Sequence, residues 1–187
     1  MAQVSTSEFK AGLKVEIDRE PYVMVSNEFV KPGKGQPFNR VKLKNLKTGR
    51  VIEKTYRSGE KLELADVEEI KMRLLYREME DFVFMDEKTY EQYTVSASLI
   101  GDNAKWCMDD LEYNLVFYKG EAIDITPPTF MEMTITETAP GLRGDTSGRV
   151  LKPAITETGA KIQVPIFIDQ GEKIKVDTRT GEYVSRV

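Results

Sequence analysis

Apolar and polar residues alternate along this chain in short runs, and turn residues break the runs before any helical period can develop. Leu13, Val15 and Ile17 share one side of a strand with Lys14 and Glu16 on the other. Asp18-Arg19-Glu20-Pro21 reads as a turn into Tyr22-Val23-Met24-Val25. Arg40-Val41-Lys42-Leu43-Lys44-Asn45-Leu46 alternates basic with apolar, and Thr48-Gly49 turns the chain into Arg50–Arg57. The same habit continues through Met72–Tyr76, Phe82–Met85, Glu91–Val95 and Tyr113–Tyr118, then Phe130–Thr136, Lys161–Pro165, Lys173–Val176 and Tyr183-Val184. Such a pattern predicts an all-β chain built from small sheets. Ser98–Asp110 lacks the alternation and is expected to carry a short helix.

Charge divides the 187 residues more sharply than hydropathy does. Residues 1–64 hold 13 Lys/Arg against 8 Asp/Glu, residues 65–127 hold 6 against 15, and residues 128–187 hold 8 of each. The balances of +5, −9 and 0 give the overall −4 and suggest three modules: 1–64, 65–127 and 128–187. Four or five short strands in the first fit a small SH3-like (KOW-like) barrel. The strand count in the second fits an OB-type barrel, and the third looks similar. Thr126-Pro127-Pro128-Thr129 is a stiff boundary between the last two, because proline cannot continue a ladder.

Several kinds of chemistry are excluded by composition. Histidine is absent and Cys107 is the single cysteine, so no Ser-His-Asp or Cys-His pair, no thiolate zinc site and no internal disulfide can form. No spacing of carboxylates marks a hydrolase or a metal site, and no cofactor is expected. No apolar run of 18 residues predicts a membrane span. Met1–Glu8 has neither the basic nor the apolar stretch of a secretory signal, so a cytoplasmic protein is expected.

What remains is a surface for a polyanion. Between Glu28 and Arg57 lie nine basic residues against two acidic ones. Arg40, Lys42 and Lys44 must leave the same side of their strand and repel one another unless carboxylates or an anion intervene. A phosphate-tracking face for RNA fits this better than a plain solvated strand, and such contacts position rather than read sequence. In Lys31-Pro32-Gly33-Lys34-Gly35-Gln36-Pro37 the glycines clear the space around Lys34 and leave it reachable. The run lacks the Gly-x-x-x-x-Gly-Lys-Ser/Thr spacing that cradles nucleotide phosphates. Gly144-Asp145-Thr146 sits within a long polar stretch, Pro140–Arg149, and by itself reads as a turn. Trp106, among Ala104, Cys107, Met108 and Leu111, reads as core.

These residues also resemble bacterial translation elongation factor P. The likeness runs through Asn27–Gly35, Arg40–Leu43, Ile100–Trp106, Pro127-Pro128, Gly144–Thr146 and Val176–Arg186, in order and across essentially the whole chain. The resemblance implies three barrels in an L-shaped, tRNA-like outline, and a monomer that is not an enzyme. It implies binding to the 70S ribosome between the peptidyl and exit sites, where the factor stimulates peptide bond formation at consecutive prolines. Peptidyl-tRNA, ribosomal RNA and exit-site mRNA become the expected partners, with no membrane and no DNA. Arg40, Lys42 and Lys44 become backbone contacts to tRNA or ribosomal RNA. Lys31, Pro32, Gly33, Lys34, Gly35 and Gln36 become the tip loop. Lys34 becomes the target of a modifying enzyme that adds a β-lysyl group, hydroxylation being part of the same chemistry. Pro37 stands where many β-lysylated members carry a small residue. Gly144, Asp145 and Thr146 become the loop that approaches the exit-site codon. A general RNA-binding barrel, with an incidental tip, is the competing reading.

Overall fold

The computed structural model describes residues 2–141 and 149–187. Its sixteen strands form three antiparallel sheets among these residues. The first contains β1 (Gln3–Ser5), β2 (Lys14–Ile17), β3 (Glu20–Val30), β4 (Phe38–Asn45), β5 (Val51–Arg57) and β6 (Lys61–Leu64), in the order β1-β6-β2-β3-β4-β5. The second contains β7 (Val67–Glu78), β8 (Asp81–Asp86), β9 (Gln92–Val95), β10 (Glu112–Tyr118) and β11 (Glu121–Thr126), ordered β11-β10-β7-β8-β9. The third contains β12 (Phe130–Thr138), β13 (Leu151–Thr156), β14 (Lys161–Pro165), β15 (Lys173–Asp177) and β16 (Glu182–Arg186), ordered β14-β13-β12-β15-β16. The helix expected after Ser98 is Ala97–Ile100, which tightens into a 3-10 turn over Gly101–Trp106. Ser96 starts it by accepting the Leu99 amide at 3.3 Å.

The backbone gathers into two compact units, Met1–Glu69 with Val116–Asp124, and Ile70–Leu115 with Ile125–Val187. In the first, Val4, Phe9, Val15, Met24, Val41 and Leu43 are the buried core, and Leu13, Ile17, Tyr22 and Tyr56 pack on it half-buried. The β10–β11 turn belongs to this unit through one polar cluster. Tyr118 Oη donates to Glu16 Oε2 at 2.7 Å, and the Lys119 ammonium reaches the same carboxylate at 3.3 Å. The Tyr118 hydroxyl and Lys119 together hold the Glu16 carboxyl below its usual range.

In the second unit Trp106 is 4% exposed and packs with Met131, Met133, Ile135, Ile162, Val164 and Val176. A residue from the middle of the chain is therefore part of the core under the third sheet. Tyr113 braces it from below, its hydroxyl donating to the Trp106 carbonyl at 2.7 Å and accepting the Met108 amide at 2.9 Å. Beside it, burial pushes the Cys107 thiol up to about 11, so the lone cysteine stays protonated and unreactive at neutral pH.

Strand β13 was not legible as a strand, and its side chains show why. Pro153 interrupts the run, and Lys152 takes an inward position, buried, where alternation calls for an apolar residue. Its ammonium is satisfied by the carbonyl of Ala139.

Candidate RNA-facing site

The site is an arm made by β3 and β4, which pair from Tyr22↔Asn45 out to Val30↔Phe38. Residues 31–37 close its end, and Lys34 is exposed there with no carboxylate in contact among the described residues. The two glycines beside it differ in role. Gly35 has φ +109°, a conformation that L side chains avoid, whereas Gly33 lies outside that region and has open space where a Cβ would stand. The turn thus demands glycine after Lys34 but not before it.

A bulge decides what the arm presents. Met24 faces Leu43 and Ser26 faces Lys42, so Val25 is the extra residue. Without it Glu28 would point inward; with it, Asn27 and Phe29 do. Asn27 and Asn39 then meet across the strands. Asn39 Nδ2 donates to Asn27 Oδ1 at 2.9 Å, and Asn27 Nδ2 donates to the Phe9 carbonyl at 3.0 Å. Buried amides of this kind bond in one register only, so the relay resists slippage of the arm. Phe9 completes the bracing, its ring meeting Tyr56 edge-on at 5.6 Å. The Tyr56 hydroxyl is buried without a partner, and its burial raises its pKa.

On the outer face, Arg40, Lys42 and Lys44 are all exposed and alternate with buried Asn39, Val41, Leu43 and Asn45. They are not equivalent. Arg40 lies between Glu28 at 3.5 Å and Glu53 at 3.8 Å, over the Phe38 ring. Lys42 and Lys44 form no ion pair among the described residues, which leaves their charge available to an anion. The other basic residues divide. Lys47 is taken by Glu20 and Tyr118, and Lys54 sits opposite buried Val41, on the inner face. Arg57 pairs with Phe38, on the same side as Arg40. The nine cations of the sequence are therefore a strip of four on one face, two more in the tip loop at Lys31 and Lys34, and three placed elsewhere.

Sequence reasoning missed the bulge and the relay. The two asparagines at 27 and 39 were their only trace, and polar residues at inward positions of an alternating strand are the signal that finds such a pair. Gly144, Asp145 and Thr146 lie outside the described residues. Up to Gly141 the backbone is described, and there the Gly141 amide donates to Asp169 Oδ1 at 2.6 Å. A cavity of about 990 Å³ in the second unit, lined among others by Leu151, Pro153, Phe167 and Tyr183, contains none of the site residues expected from sequence.

Three family models match in succession: the elongation factor P KOW-like domain over residues 5–62, its OB domain over 67–125 and its C-terminal domain over 131–186. Over its full length the chain is 65% identical to "Elongation factor P 2" of Protochlamydia amoebophila, covering 99% of that protein. The chain belongs to the elongation factor P family. A second relative, "Elongation factor P 2" of Chlamydia trachomatis, is 61% identical over the same span. Among solved structures, a eukaryotic translation initiation factor 5A from Methanococcus jannaschii matches with a TM-score of 0.55 at 25% identity, over 67% of this chain and 94% of that one. The β-rich sheets thus belong to the architecture that elongation factor P shares with that initiation factor. Elongation factor P proteins are translation factors that act on the ribosome without catalytic chemistry of their own, in keeping with a chain that has no histidine and one half-buried cysteine. No helix among the described residues is long and apolar enough to cross a membrane.

Proposed function

We propose that this protein binds the 70S ribosome between the peptidyl and exit sites and speeds peptide bond formation at consecutive prolines. The observation that carries the reading is Lys34, exposed and without an ion pair among the described residues, at the end of an arm whose register is fixed by buried amides. Proline's ring restricts the approach of donor and acceptor. A cation braced against the acceptor end of peptidyl-tRNA restores that alignment, and orientation of this sort is worth several kcal/mol of barrier, on the order of 3–5 here. The ribosome performs the reaction; the factor supplies position and charge. Arg40, Lys42 and Lys44 follow the sugar-phosphate backbone of tRNA or ribosomal RNA, with Arg40 pre-oriented by its two glutamates.

In this reading Lys34 is lengthened by a modifying enzyme, a β-lysyl group with hydroxylation giving the reach. Lys31, Pro32, Gly33, Gly35 and Gln36 form the loop which that enzyme recognises. Gly144, Asp145 and Thr146 turn toward the exit-site codon. The modules 1–64, 65–127 and 128–187 close as an SH3-like barrel and two OB barrels, and the factor works as a cytoplasmic monomer. The test is a photo-crosslinker placed at exposed Gln36 in ribosomes halted on a proline run. Crosslinks to the 3′ end of peptidyl-tRNA are expected. Crosslinks confined to other RNAs would overturn the reading.

A further inference from the structure

Beyond the lysine, the arm carries a second group suited to RNA. Phe29 is 58% exposed, although it belongs to the inward face that buries Met24, Val41 and Asn39 further along the arm. The Phe9 carbonyl accepts Asn27, the preceding inward residue of the arm, while the Phe29 ring beyond it stays mostly in solvent. An exposed ring is ordinary by itself; what singles Phe29 out is the polar pocket it borders, which sets a flat apolar face beside hydroxyl groups. That pocket, of about 200 Å³, is lined by Ser5, Thr6, Ser7, Asn39, Ser58 and Gly59, and the Ser5 hydroxyl also donates to the Glu8 carboxylate at 3.1 Å. Its hydroxyls are already oriented: Ser5 and Ser7 share a hydrogen bond at 2.8 Å, Ser58 donates to the Pro37 carbonyl at 3.3 Å, and Thr6 accepts the Gly59 amide at 3.0 Å. Each keeps capacity for one more bond.

We infer that Phe29 is a stacking platform for one unpaired nucleobase of a single-stranded RNA end, whose ribose or base edge meets the serine hydroxyls. The chemistry is that of single-strand recognition: a flat ring for the base, hydroxyls for 2′-OH or base-edge groups, and cations nearby for the backbone. Lys31 and Lys34 lie two and five residues after Phe29 in the chain, and Lys42 and Lys44 stand on the arm's other face. This rests on the proposed reading and deepens it, since the RNA end would be the one Lys34 braces. A protein partner would use Phe29 as an apolar plug, for which leucine serves as well.

The experiment compares Phe29→Ala, Phe29→Leu and Phe29→Trp with Lys34→Ala, each as full-length factor at saturating concentration on a three-proline reporter. Stacking on one base contributes roughly five- to hundred-fold, so Phe29→Ala and Phe29→Leu are expected to lower the maximal rate about ten-fold while Phe29→Trp stays within about two-fold of wild type. Melting curves should coincide, because the ring is largely in solvent. Wild-type rates for Phe29→Leu, with Lys34→Ala inactive, would overturn the platform and leave the reading of Lys34 standing. A Lys34→Ala variant as active as wild type would remove both.

Discussion

On the arm, the residues assigned to function stand clear of the core and are held by hydrogen bonds; around Trp106, a long-range core does the holding and polar groups serve only to close it. Asn27 and Asn39 contribute little apolar burial, yet they leave the arm one register. Trp106 contributes no group to a partner, yet it joins the segment after Ile100 to the third sheet. The contrast teaches where sensitivity should fall. Substitutions at the arm's end should change activity and spare stability, and substitutions around Trp106 should do the reverse.

The largest effect is expected at Trp106. Trp106→Ala removes a buried aromatic and should cost about 3–5 kcal/mol, measured by chemical denaturation. Probes placed in β12 and in the Gly101–Trp106 turn should lose structure together. A third sheet that kept its stability in the variant would show that the shared core is incidental.

The glycines sharpen the arm's side of the comparison. Gly35→Ala forces a side chain into a positive-φ conformation, at about 1–2 kcal/mol, and should turn Lys34 away from its direction. Stimulation of proline-run synthesis should fall several-fold, while Gly33→Ala should stay near wild type. Equal effects from the two would mean that the turn's geometry does not direct Lys34.

A smaller effect is expected where β10 meets the first unit. The Tyr118 hydroxyl, more than Lys119, holds the Glu16 carboxyl below its ordinary value. A depressed carboxyl stabilises the folded state above its unfolded pKa, about 4.3, and that contribution disappears as pH falls through the lower folded value. Tyr118→Phe should therefore cost about 1 kcal/mol near pH 7, with the gap to wild type narrowing as pH falls below the unfolded carboxyl value. A gap independent of pH would assign the loss to packing instead.

Much of this was legible in the sequence, and what was not has identifiable physical causes. Alternation found most strands and put Arg40, Lys42 and Lys44 on one face, because a half-buried strand must alternate. It failed at β13, where Pro153 and inward Lys152 break the pattern yet are satisfied by tertiary contacts. It could not see the bulge at Val25, since an inserted residue changes which side chains face inward without changing composition. Two flanking glycines looked alike, and only backbone geometry separates Gly35 from Gly33. Charge counts suggested three modules, and such counts carry no signal for contacts distant in sequence, such as those that group Val116–Asp124 with the first unit and Trp106 with the third sheet.

The central claim, that Lys34 acts by position rather than by holding the factor on the ribosome, is tested most directly by single-turnover peptide bond formation on a proline-proline junction, with Lys34→Ala titrated to saturation. The expected result is a maximal rate close to that without factor, half-saturation near that of wild type, and an unchanged melting temperature. A wild-type maximal rate at saturation would contradict it.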